Sequence, residues 1–217
     1  MDIPEGLSPE ELSNMMESND MRTFMIACEA LCLDNTNQAY EILKRYIVHN
    51  DLYKRRYVLS VIFGYPQAAE LVPHLEWALG SEKAFLWGTA LDVIIQQEIR
   101  VAEEVLFSCI ERNWTQVRRY DIYALNSVEK TQANAQRILK LYHACRDDST
   151  RIAIAEVLYD FCAEENHLTF YELFQDDPTP HIRILACRIA RAYHRPDLLS
   201  KFAQDRNGHI RKLALDA

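Results

Sequence analysis

Glycine is scarce in this chain, five in 217 residues, and proline adds only seven. A β-sandwich or barrel needs a Gly, Asn or Pro turn signal about every 8 to 12 residues, so sheet architectures lack their turns here. No uninterrupted apolar run approaches the roughly 18 residues that cross a bilayer. The opening Met1-Asp-Ile-Pro-Glu-Gly6 has neither the basic nor the apolar region of a signal peptide. Enzyme signatures are missing too: there is no GxSxG, HExxH, GxxxxGKS/T or GxGxxG, and five scattered glycines leave no loop to cradle a phosphate. Six cysteines, Cys28, Cys32, Cys109, Cys145, Cys162 and Cys187, form no CxxC and no Cys/His cluster at zinc-finger spacing. The expectation is a cytoplasmic protein with reduced thiols, no metal, no cofactor and no membrane segment.

What is present is acid and apolar surface. Apolar residues make up 49% and charged residues 26%, the ordinary soluble mixture. The formal charge of −8 is uneven: residues 1–110 carry 17 acidic and 8 basic side chains, and residues 111–217 carry 15 and 16. That balance argues against nucleic acid as a partner.

One helical pattern returns down the chain. Its clearest copies are residues 181–190, His-Ile-Arg-Ile-Leu-Ala-Cys-Arg-Ile-Ala, and residues 209–217, His-Ile-Arg-Lys-Leu-Ala-Leu-Asp-Ala. Each has an Asp six residues before its Arg. Weaker copies lie at 54–62, 116–125 and 150–158. The column Arg22, Arg55, Trp87, Arg118, Arg151, Arg183 and Arg211 advances by 33, 32, 31, 33, 32 and 28 residues. Between these first helices, second helices are predicted at 37–48, 67–79, 98–112, 132–145, 166–175 and 197–204, with apolar residues at 3/4 spacing such as Ile42, Leu43, Tyr46 and Ile47, or Ala102, Val105, Leu106 and Cys109. Ser8-Pro9-Glu10-Glu11 is a capping box, and Pro180 and Pro196 open helices. Gly64 and Gly80 fall where left-handed terminators belong, and Pro73 should kink its helix.

The Asp, Ile/Val-Arg and small-residue positions resemble HEAT-type repeats and their armadillo and bilin-lyase-like relatives, from about residue 18 to 217. The resemblance implies an all-α, right-handed α-solenoid of about six and a half two-helix repeats in a single domain, 1–217. Residues 1–19 would form an N-terminal cap helix, and residues 207–217 an incomplete last repeat. It further implies first helices on the convex side and second helices lining the concave face. The chain stops inside a first helix, so it is either a truncated piece or has an end that another copy could cover.

In such repeats the recurring Arg is structural, tied to loop Asp residues and turn carbonyls. The expected ladder comprises Arg118, Arg151, Asp177 with Arg183, and Asp205 with Arg211. Opposite the core stripe of the second helices lie Glu41 and Arg45, His74 and Trp77, Glu104 and Phe107, and Arg137 and Lys140. Of these, Trp77, His74, Phe107, Glu104, Arg137 and Lys140 are the candidate binding residues, with exposed aromatics among charges as interface anchors. The function expected is a non-catalytic scaffold or adaptor binding a protein or peptide. The most basic stripe, Arg188, Arg191 and Arg195 with Lys212, is read as a solvated convex face. The alternative is a HEAT-like-repeat DNA glycosylase of alkylated bases: Trp114, Arg118 and Arg119 resemble that family's Trp and paired-Arg segment, with Trp87 and Asp92 in the aromatic and acid roles.

Overall fold

Helix starts are set by short polar side chains. In the computed structural model, which describes residues 6–216, Ser8 accepts from the Glu11 amide while the Glu11 carboxylate accepts from the Ser8 amide at 2.8 Å. Asp20, Thr36, Asp51, Thr131, Asp147 and Asn207 cap in the same way by accepting from amides of the first turn. Each such cap stabilises its helix by about 1 kcal/mol. The helices they open group into two compact units, Met1–Gln116 and Val117–Ala217.

The first unit holds α1 (Pro9–Met16), α2 (Met21–Asp34), α3 (Asn37–Arg45), α4 (Leu52–Ile62), α5 (Val72–Leu79), α6 (Ala84–Gln97) and α7 (Glu103–Arg112). The second holds α8 (Gln132–Ala144), α9 (Asp148–Asp160), α10 (His167–Phe174), α11 (Pro180–Ala192), α12 (Pro196–Phe202) and α13 (Gly208–Leu215). Three 3-10 segments, Tyr46–Val48, Pro66–Leu71 and Tyr120–Ser127, join them, and no strand occurs among the described residues. The fold is all-α and of the α-solenoid class: first helices stack as α2, α4, α6 in one unit and as Tyr120–Ser127, α9, α11, α13 in the other. Their buried stripes, Phe24, Ala27, Cys28 and Leu31 on α2 or Ile182, Leu185, Ala186 and Ile189 on α11, follow helical spacing. The stripe read on the second helix 37–48, Ile42, Leu43, Tyr46 and Ile47, is buried throughout, running from α3 into the 3-10 segment Tyr46–Val48.

Several local expectations are corrected. Gly64 and Gly80 do not adopt the left-handed conformation; Asn35, Glu98 and His194 do, at φ 49°, 51° and 50°. Glu98 therefore ends α6, its amide and that of Ile99 both donating to the Ile94 carbonyl, so the second helix expected from residue 98 starts at Glu103. Ala102 accordingly lies outside that helix and is exposed. Pro73 does not kink a helix but sits in the first turn of α5, where its missing N–H would have no partner anyway. The repeat copy around Arg118 forms 3-10 rather than α-helix. There the buried Asp121 folds back on Arg118, accepting its amide at 2.7 Å and its guanidinium at 2.5 Å, an i,i+3 clamp that suits the 3-10 period.

Tyrosines tie one cycle to the next. Tyr40 donates to Glu70 at 2.7 Å, Tyr46 to Glu17 at 2.7 Å, Tyr57 to Glu29 at 2.6 Å and Tyr142 to Asp177 at 2.8 Å, while Tyr123 donates to Glu156. Each ring packs on apolar neighbours while its hydroxyl reaches an acid 28 to 35 residues away. Burial and the adjoining carboxylates push these phenols above their usual range.

Candidate functional site

The outward side of the second helices presents the candidate residues in different states. On α5, Trp77 is 40% exposed and His74, one turn earlier, is half-buried. The Arg55 guanidinium, from α4, lies over the Trp77 ring, 3.3 Å from its centroid. Such a contact holds both side chains in one geometry, since the ring face carries negative charge. Burial lowers the pKa of Arg55, and the same cause, followed by the charges of Arg55 and Lys44, lowers that of His74. Lys44 of α3 pairs with Glu70 at 3.0 Å, and Glu70 also accepts from Tyr40. The result is one half-buried guanidinium laid against one exposed indole, beside a Lys44–Glu70 pair.

The other candidates separate. Phe107 is not an exposed anchor: it is 1% exposed, one of the four buried residues of α7. Glu104 is exposed in the first turn of α7, where a carboxylate favours the helix dipole, and accepts from Ser108 at 3.2 Å. Glu41 and Arg45 are exposed on α3. In the second unit, α8 carries a half-buried Arg137 and an exposed Lys140.

The column arginines use different partners from those expected. Arg183, 5% exposed, donates to the Asp177 and Pro178 carbonyls at 2.8 and 3.0 Å, but the carboxylate it grips is that of Asp205, at 2.8 and 3.0 Å. The Asp177 carboxylate instead takes Tyr142 and Arg151. Arg211 likewise donates to the Asp205 carbonyl at 2.6 Å, not to its carboxylate. A loop six residues upstream faces the arginine with its backbone, so the acid that completes the bidentate pair comes from the following loop. Asp205 is held below the usual carboxylate range, chiefly by its hydrogen bonds from Arg183. Arg118, itself exposed, holds the buried Asp121 carboxylate as described above. On the basic stripe, Arg195 pairs with Asp197 at 2.6 Å, and Arg191 donates to the Asp216 carbonyl at 3.4 Å.

Two cavities accompany these features. One of about 310 Å³ in the first unit is lined by Phe63, Tyr65, Ala68, Val72, Ile99 and Arg100. One of about 410 Å³ in the second is lined by Asp176, Asp177, Arg183, Lys201, Asp205 and Arg206, whose charges are largely satisfied by one another. No group of three His, Cys, Asp or Glu side chains that could hold a metal occurs among the described residues, and no described helix is long and apolar enough to cross a membrane. Trp87 is 3% exposed, its indole N–H without a partner, so it cannot stack on a flipped base as the glycosylase reading requires. The Arg55–Trp77 stack and the tyrosine ties escaped sequence reasoning. A Tyr and an acid about one cycle apart were the available signal for the latter; the former had none.

No protein-family model matches the sequence, and no curated protein matches it. Among solved structures, the chain is similar to one from the complex of CpcE and CpcF of phycocyanin lyase from Nostoc sp. PCC7120, with a TM-score of 0.56 and 14% identity over 99% of this chain and 88% of that one. An engineered protein gives the same TM-score and identity over 95% of this chain and 66% of its own. At this identity the likeness shows a shared helical-repeat fold.

Proposed function

We propose that this chain is a non-catalytic binding scaffold that takes a protein or peptide partner on the second-helix face of its first unit. One observation carries the reading: Trp77 presents 40% of its surface while Arg55 pins its ring. An aromatic ordered before binding costs little entropy to dock against, as interface anchors require. Second helices line the inner face of α-solenoids, the usual binding surface of the class. The CpcE–CpcF neighbour was itself solved as a complex of two chains, which supports a protein as partner. The free cysteines fit a reducing, cytoplasmic setting.

The test is selection of displayed random dodecapeptides on the immobilised protein, followed by titration of the survivors. Trp77→Ala should weaken them by about 2 kcal/mol or more, roughly thirtyfold, with the helical circular dichroism unchanged. Failure to select any peptide, or equal affinity for Trp77→Ala, would sink the reading.

A further inference from the structure

We infer that the Arg55–Trp77–His74 patch is a receptor for a single carboxylate side chain of a peptide, flanked by an apolar residue that packs on the exposed indole. This rests on the scaffold reading above and names its partner's chemistry.

Residues 1–116 carry 18 acidic and 9 basic side chains, so a half-buried arginine there has every opportunity to find an intramolecular carboxylate. In the same column Arg151 and Arg183 reach Asp177 and Asp205, each three residues past the end of the preceding second helix. The corresponding place after α5 is Glu82, which is exposed and makes no ion pair with Arg55. Arg55 instead lays its face on Trp77. A guanidinium stacked by its face keeps its N–H edge for a ligand, and that edge matches a carboxylate through two parallel hydrogen bonds.

Of the neighbours, Lys44 is paired with Glu70 at 3.0 Å, so Arg55 is the charge of the patch that has no acid of its own. The charges acting on His74 are those of Arg55 and Lys44, and burial alone accounts for the lowered pKa of Arg55. The patch is thus a small positive site in an acid-rich half. A polyanion would meet long-range repulsion from the surrounding carboxylates, whereas one carboxylate with an apolar neighbour meets only the patch. The uncovered part of the Trp77 ring supplies the surface for that neighbour.

The full chain is titrated with a capped dodecapeptide that carries one Glu beside one Leu in a Gly–Ser background, its Gln–Leu counterpart, and an oligothymidylate of equal length, while ¹⁵N–¹H spectra follow the Arg55 Nε–H and Trp77 indole signals. The Glu peptide should bind saturably and move both signals. Affinity should fall at least tenfold for the Gln peptide and for Arg55→Gln, and partly recover in Arg55→Lys. Equal binding of the Gln peptide, or wild-type affinity in Arg55→Gln, overturns the carboxylate receptor. So does tighter binding of the oligothymidylate, or no binding of the Glu peptide at millimolar concentration. Displayed peptides that still depend on Trp77 would leave the scaffold reading standing in any of those cases; absence of selected peptides would remove it separately. Unfolding curves of each variant show whether a loss reflects binding or fold.

Discussion

Arg183 and Asp205 form a nearly buried bidentate pair across 22 residues, with two further guanidinium bonds to the Asp177 and Pro178 carbonyls. Arg183→Ala strands the carboxylate and the carbonyls, and should destabilise by about 3 kcal/mol or more. Arg191→Ala, on the solvated stripe, should stay within about 0.5 kcal/mol. A double-mutant cycle in urea should couple Arg183 to Asp205 by about 2 kcal/mol. Coupling to the Asp177 side chain, probed by Asp177→Asn, should be much smaller.

The same pair sets an acid limit. Asp205 has its carboxyl depressed in the folded state, so its contribution is complete above the ordinary carboxylate pKa near 3.9 and is lost as pH falls through the folded value. Unfolding free energy measured from pH 6 to pH 3 should therefore drop on the acid side. Asp205→Asn should be less stable at pH 6 and show a flatter profile below pH 4.

Tyr142 joins α8 to the loop before α11 through Asp177. Tyr142→Phe keeps the ring and removes one bond to a charged acceptor, which should cost about 1.5 kcal/mol. Tyr53 stacks on Phe85 and is 61% exposed. Tyr53→Phe is the control and should leave the thermal midpoint nearly unchanged.

Glu98 holds φ at 51° to end α6, a conformation that costs a non-glycine residue about 1 to 2 kcal/mol. Glu98→Gly should relieve that cost, less the extra entropy glycine loses on folding, for a net stabilisation of about 0.5 to 1 kcal/mol. Chemical denaturation would detect it. A destabilised variant would show that the Glu98 side chain makes a compensating contact.

The cysteines divide by burial: Cys28, Cys109 and Cys187 lie in the core, and Cys32, Cys145 and Cys162 are half-buried. Burial pushes the Cys32 and Cys187 thiols up to about 11. Labelling at pH 7 should be slow for all six. It should be slowest for the core group, with rates rising only as denaturant unfolds the chain.

Repetition made the fold legible. Arg118, Arg151 and Arg183 recur 33 and 32 residues apart, and the Ser8 capping box sits where its helix begins. Local bonds of this kind depend on neighbours within one turn, which sequence displays directly. The candidate site was only half legible, because a helical wheel shows which way a residue points but not what stands opposite. Trp77 and Phe107 occupy equivalent outward positions by their spacing, yet Phe107 is 1% exposed and Trp77 40%. The partner of Arg183 was misread for a related reason: proximity in sequence favoured Asp177, while the loop geometry turned its carbonyl, not its carboxylate, toward the guanidinium.

The tyrosine and arginine ties reach about one cycle, and the longest side-chain bond described, from Lys54 to the Met16 carbonyl, spans 38 residues. A chain wired this way needs no distant segment before it can begin to order. During synthesis, a cycle can acquire its stabilising bonds once roughly the next 40 residues have left the ribosome, so folding can keep pace with translation.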